Sequence, residues 1–80
     1  MNDKVKNISL YYFKRGKQVK QHTLRRFGRK IYRLVRLLNF KKWSKVEIVV
    51  RYQVGYNSMT LMNKSDAEWC INAFIKEYGA

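Results

Sequence analysis

Between residues 24 and 38 the apolar side chains Leu24, Phe27, Ile31, Leu34, Val35 and Leu38 recur at steps of three and four, the period of one buried helical stripe. Placed at about 100° per residue, Arg25, Arg26, Arg29, Lys30, Arg33 and Arg36 fall on the other side, within an arc of about 140°. Thr23 precedes the run and is a residue type that caps helix N-termini, so the spacing predicts a helix over 23–38. Such a helix cannot stand alone in water: its apolar stripe has to be covered while its cationic side stays outside. Gly28 lies inside the run near the edge of the stripe, at a cost of about 1 kcal/mol against alanine. Close packing against a sheet is the expected reason, and a local bend the alternative.

The segments that could cover the stripe have the period of strands. Val5 to Phe13 alternates, with Ile8, Leu10 and Tyr12 on one side and Asn7, Ser9 and Tyr11 on the other. Lys14-Arg15-Gly16-Lys17 supplies a glycine turn, and Gln18 to His22 reads either as a return strand or as the loop into the helix. Asn39 to Ser44 crosses back. Val46, Ile48, Val50 and Tyr52 then alternate with Glu47, Val49, Arg51 and Gln53, the best strand pattern in the chain. Gly55 marks a turn, and Tyr56 to Met62 forms a partner strand with Met59 and Leu61 on one face. Ser65-Asp66-Ala67-Glu68 reads as a capping box, with Ser65 at the N-cap of a helix that reaches about Tyr78 and turns Ala67, Cys70, Ile71, Phe74 and Tyr78 inward.

The order strand, strand, helix therefore occurs twice, in a basic half (1–39) and a near-neutral half (45–79). The expected fold is α+β: two ββα units forming one antiparallel four-stranded sheet, with both helices packed on one face. Eighty residues are enough for one domain and too few for two independent cores. Twelve aromatic residues and well-formed apolar runs separate this chain from disordered sequences of comparable charge.

That charge, +13 overall, is segregated. Residues 1–45 carry fifteen Lys and Arg against Asp3 alone, whereas residues 46–80 carry three, Arg51, Lys64 and Lys76, against Glu47, Asp66, Glu68 and Glu77. Six of the seven arginines lie in residues 15–36. Arginine offers forked, permanently charged donors that suit phosphate bidentately. Lys14, Arg15 and Lys17 at the first turn, with Lys41, Lys42 and Lys45 after the helix, are expected to extend the basic patch at its ends. The expected partner is a polyanion, with nucleic acid the foremost candidate.

Side-chain catalysis has little to draw on, and the chain is read as a non-enzyme without cofactor or metal. His22 and Cys70 are the one possible nucleophile pair, and Cys70 falls on the inward stripe of the last helix. One Cys and one His cannot complete a four-ligand zinc site. Neither GxxxxGK[ST] nor GxGxxG occurs. Trp69 lies on the far side of the helical wheel from Ile71 and is expected outward, as a protein contact or folded over a loop. Phe40 and Trp43 are expected to plug the base of the sheet rather than stack on bases, and Tyr52 and Tyr56 to pack across the second turn. No apolar run reaches the length of a membrane span, and Met1 to Lys6 shows no signal-peptide core, so a cytoplasmic location is expected.

The "Thr-Leu-Arg-Arg" segment at 23–26, the "Asp-Ala-Glu-Trp-Cys-Ile-Asn-Ala-Phe" segment at 66–74, the small size and the basic, Lys/Asn/Tyr-rich composition together resemble the accessory proteins of phages and mobile elements in Gram-positive bacteria, the class that includes anti-CRISPR inhibitors. The resemblance is one of style over the whole chain and transfers no site residue. It implies a stoichiometric blocker of a host nucleoprotein machine. Many such inhibitors are acidic mimics of DNA; a +13 chain would instead engage guide RNA, target DNA or an acidic groove of the effector. The simpler alternative is a stand-alone, non-sequence-specific DNA- or RNA-binding protein.

Overall fold

The computed structural model describes residues 5–26 and 28–78. Their order is β1 (Val5–Lys14), β2 (Lys17–Leu24), α1 (Arg29–Arg36), β3 (Lys45–Tyr52), β4 (Tyr56–Leu61) and α2 (Lys64–Tyr78). The strands form one antiparallel sheet in the order β2-β1-β3-β4, which is the expected α+β class.

Register explains which side chains meet. Ile8 lies opposite Leu24 and Val50, Leu10 opposite His22 and Ile48, and Tyr12 opposite Lys20 and Val46, with Val46 in turn opposite Leu61. Because side chains alternate across a strand, these rows share one face. Ile31 and Val35 of α1 and Ala67, Cys70, Ile71 and Phe74 of α2 pack into the same core, so both helices cover that face. Both halves of the chain contribute to this core, which draws its stability from burying each apolar side chain once, at about 1.5–3 kcal/mol for a fully buried Ile, Leu or Val.

The first hairpin closes through Arg15 (φ 53°) and Gly16 (φ 82°). Positive φ at both central residues matches the right-handed twist of the flanking strands. A bulge follows: Tyr12 pairs with Lys20 but Phe13 with Gln18, leaving Val19 between them. The second hairpin turns at Gly55 (φ 85°), whose carbonyl accepts the Tyr52 amide at 3.1 Å.

Three expectations change. The return strand is real and runs past His22 through Thr23 and Leu24, so Thr23 is no helix cap: it pairs with Ser9, and their hydroxyls lie 3.1 Å apart. Leu24 lies opposite Ile8, buried in the core as a strand residue. Helix α1 consequently begins at Arg29 and spans eight residues, with Tyr32 joining Ile31 and Val35 in the core. Gly28 is its N-cap, in extended backbone, and a Cβ there would meet nothing within 4 Å, so neither close packing nor a mid-helix bend accounts for it. Phe27 lies outside the described residues.

Helix α2 starts two residues earlier than the Ser65 box implies. Asn63 Oδ1 accepts the Asp66 amide at 2.9 Å, and Asp66 Oδ2 accepts the Met62 amide at 2.8 Å. This is a reciprocal cap of the same logic, built from Asn63 and Asp66 instead of Ser65 and Glu68. The expected inward stripe stands: Ala67, Cys70, Ile71 and Phe74 are buried and Tyr78 is half-buried.

Candidate nucleic-acid interface

Helix α1 separates its side chains cleanly. Ile31, Tyr32 and Val35 are buried, whereas Arg29, Lys30, Arg33 and Arg36 are exposed, and no acid lies in its first turn. Arg29, Arg33 and Arg36, with Tyr32, Leu37 and Ile75, line a groove of about 470 Å³ between α1 and α2. Guanidiniums along the wall of an apolar-floored groove suit a phosphate chain, because each presents a planar fork while its alkyl stem covers hydrocarbon. Lys64 Nζ donates to the Arg36 carbonyl at 2.7 Å, placing another cation at the C-terminal end of the helix. There it opposes the negative end of the helix dipole.

Arg25 and Arg26 are exposed, as expected, but lie in the connection after β2 and not on the helix. The 140° arc that placed them beside Arg29 and Arg33 required helical backbone that is absent there. Lys14, Arg15 and Lys17 are exposed at the tip of the first hairpin. Lys41 and Lys42 are exposed in the segment after α1, which Asn39 shapes by accepting the Lys41 amide on Oδ1 at 3.0 Å and the Lys42 amide on its carbonyl at 3.0 Å. That segment is tied to the hairpin: the Ser44 amide and hydroxyl both donate to the Phe13 carbonyl, at 2.9 and 3.1 Å. The fold thus gathers Lys14, Arg15, Lys17, Lys41 and Lys42 at one end of the sheet. Arg25 and Arg26 lie at the opposite end of β2, and α1 runs between.

Trp43 and Phe40 are half-buried against the core, with the Trp43 ring 5.0 Å from Tyr12 and Lys42 Nζ 4.9 Å from the Trp43 ring centre. Both act as the expected plug. Trp69 is 63% exposed on the outer side of α2. Tyr52 packs against the core and shares a hydrogen bond with Tyr78, but Tyr56 is 68% exposed on the other face. His22 belongs to β2 opposite Leu10 and is half-buried. Cys70 is fully buried, and burial pushes its thiol up to about 12, so it is protonated and shielded at neutral pH.

Sequence reasoning missed one cluster. On the sheet face that no helix covers, Arg51 donates from one terminal nitrogen to Asn7 Oδ1 (3.1 Å) and Ser9 Oγ (2.8 Å), and from the other to the Tyr11 hydroxyl (2.5 Å). Ser9 is only 1% exposed beneath it. Hydrogen bonding from Arg51 holds the Tyr11 phenol below its usual range, against a smaller opposing effect of burial. Only the β1–β3 register, joining residues some forty positions apart, assembles this group.

No group of three His, Cys, Asp or Glu side chains able to hold a metal ion occurs among the described residues, and no described helix is long and apolar enough to cross a membrane. Comparison with protein-family models, with curated proteins and with solved structures finds no match for this chain.

Proposed function

We propose that the protein is a non-enzymatic nucleic-acid-binding module whose contact surface is the exposed side of α1, extended by Arg25 and Arg26 at one end and by Lys14, Arg15, Lys17, Lys41 and Lys42 at the other. The observation that carries this reading is the pairing of one buried and one wholly cationic side on a short helix, in a stretch from Lys4 to Val46 that contains no acid. Glu68 of α2 shares a cavity lining with Arg36, but the α1–α2 groove lined by Arg29, Arg33 and Arg36 has no acid in its wall, so the arginines keep charge available to phosphate, and a duplex presents phosphates at a spacing that several of them can meet together.

A second reading, inhibition of a nucleoprotein machine of the kind the phage-protein resemblance implies, is favoured by Trp69. An exposed tryptophan away from the cationic surface is a residue type that anchors protein contacts. Capture of partners from host lysate with and without nuclease separates the two. Loss of all partners after nuclease supports the module acting on nucleic acid alone; a nuclease-resistant protein partner, lost on Trp69→Ala, supports the inhibitor.

The nucleic-acid reading itself is tested by reversing charge at Arg29, Arg33 and Arg36, each to Glu. Binding to duplex DNA and duplex RNA is expected to disappear with the thermal midpoint little changed. For the unaltered protein, affinity should fall about 10³-fold or more between 50 and 200 mM salt if some six phosphates are engaged. Retained binding in the triple variant overturns the proposal.

A further inference from the structure

The second face of the sheet offers a surface of different chemistry. Alternation places Tyr11 and Phe13 of β1, Lys45, Glu47, Val49 and Arg51 of β3, and Tyr56 of β4 on the side away from both helices. Tyr11, Gln18, Glu47, Val49, Arg51 and Tyr56 line a shallow depression of about 330 Å³. An uncovered antiparallel sheet face ordinarily carries polar side chains, so three aromatic rings on this one call for an explanation.

Arg51 adds a fixed cation to this face. Its guanidinium is fixed by an amide oxygen and two hydroxyls, all neutral, and lies 5.9 Å from the Tyr11 ring centre. Neutral acceptors hold a cation in place without cancelling its charge, which leaves a positioned positive group beside exposed aromatic surface. Lys45, opposite Phe13 in the register, holds its Nζ 4.6 Å from the Phe13 ring centre. Against these two cations the face carries Glu47 as its one acid among the described residues. The ligand that matches rings and cations together is a polyanion with flat aromatic units.

We infer that this face binds single-stranded nucleic acid, unpaired bases stacking on Tyr56 and Tyr11 while Arg51 and Lys45 meet the phosphates. Stacking on sheet-borne aromatics tolerates any base sequence, since every base has a π-face. A duplex is excluded from this mode because its bases are stacked on one another. The inference shares with the α1 reading only the class of ligand; it uses the opposite side of the molecule.

The test compares fluorescence anisotropy of labelled single-stranded 15-mers, one DNA and one RNA of the same sequence, with that of the corresponding DNA duplex, for the unaltered protein, Tyr56→Ala and Tyr56→Phe. Tyr56→Ala is expected to weaken single-strand binding about fivefold or more while leaving duplex binding and the thermal midpoint unchanged. Tyr56→Phe, which keeps the ring, should restore it. The two strands distinguish RNA from DNA as the preferred source of unpaired bases. Amide shifts on adding the single strand should fall on β1, β3 and β4. Equal single-strand affinity for all three proteins overturns the inference, as do shifts confined to α1, or shifts of the open face that follow protein concentration alone and so report a second copy of the chain. Failure of the α1 reading shows separately, as duplex binding that survives charge reversal at Arg29, Arg33 and Arg36.

Discussion

The Arg51 guanidinium donates a hydrogen bond to the Tyr11 hydroxyl across the β1–β3 pair, and that contact favours the ionised phenol. Tyr12, Tyr32 and Tyr78 are displaced the other way, chiefly by burial. Of the six tyrosines, Tyr11 should therefore ionise early in an ultraviolet titration, before those three. Tyr11→Phe should remove that early step and leave the later ones in place. A group with a depressed native pKa adds stability above its unfolded pKa and loses it as pH falls through the native value. Groups with raised values do the reverse, losing their contribution as pH climbs above the ordinary tyrosine range toward their native values. Three raised groups oppose one lowered group, so the thermal midpoint should decline at high alkaline pH, more steeply in Tyr11→Phe than in the unaltered chain.

Helix α2 is capped by Asn63 and not by Ser65, the cap expected from the sequence. Asn63→Ala removes the acceptor of the Asp66 amide and should cost about 1 kcal/mol, or roughly 4–8 °C in the thermal midpoint of a domain this size. Ser65→Ala should leave the midpoint within about 2 °C, since a helix-favouring residue at an exposed first-turn position has a small effect. Circular dichroism melts of the two variants check the assignment; the opposite ranking would return the cap to Ser65.

These caps illustrate why part of the fold was legible in the sequence and part was not. Period-two alternation with one face buried leaves little freedom: β3 follows it closely, and β1 and β4 turn Ile8, Leu10, Tyr12, Met59 and Leu61 inward as it requires, although Ser9 is buried as well under Arg51. At 23–28 the pattern is degenerate: Leu24 is buried whether it opens a helix or ends a strand, so it supports both. The strand prevails because Thr23 and Leu24 complete β2 against Ser9 and Ile8. At 63–68, Asn63 with Asp66 and Ser65 with Glu68 are both box-forming, and β4, which ends at Leu61, delivers the chain to the first. The exposed cations were legible because charge itself predicts exposure. The Arg51 group was not, because alternation states only that one face is polar and says nothing about which polar residues become neighbours.

Cys70 should be inert in the native protein. Its thiol is fully buried and pushed up to about 12, and thiolate is the reactive form. Ellman's reagent at pH 8 should react with it only as fast as the core opens, and fully in denaturant. Rapid stoichiometric labelling of the native protein would mean that α2 does not seat Cys70 against the sheet.

Gly28 gives a sign test of where α1 begins. If it lay in the interior of a helix over 23–38, Gly28→Ala would stabilise by about 1 kcal/mol, because alanine is the better interior residue. As the N-cap, with extended backbone and no side-chain hydrogen bond of its own, the same change gives no gain, since alanine caps worse than glycine. Gly28→Ser should instead raise stability by a few tenths of a kcal/mol by offering a hydroxyl to the free amides of the first turn. Neither side chain meets an obstruction, as a Cβ at this position has nothing within 4 Å. Chemical denaturation of both variants reads the difference: serine above alanine places the start of α1 at Arg29, and alanine above serine places Gly28 inside a longer helix.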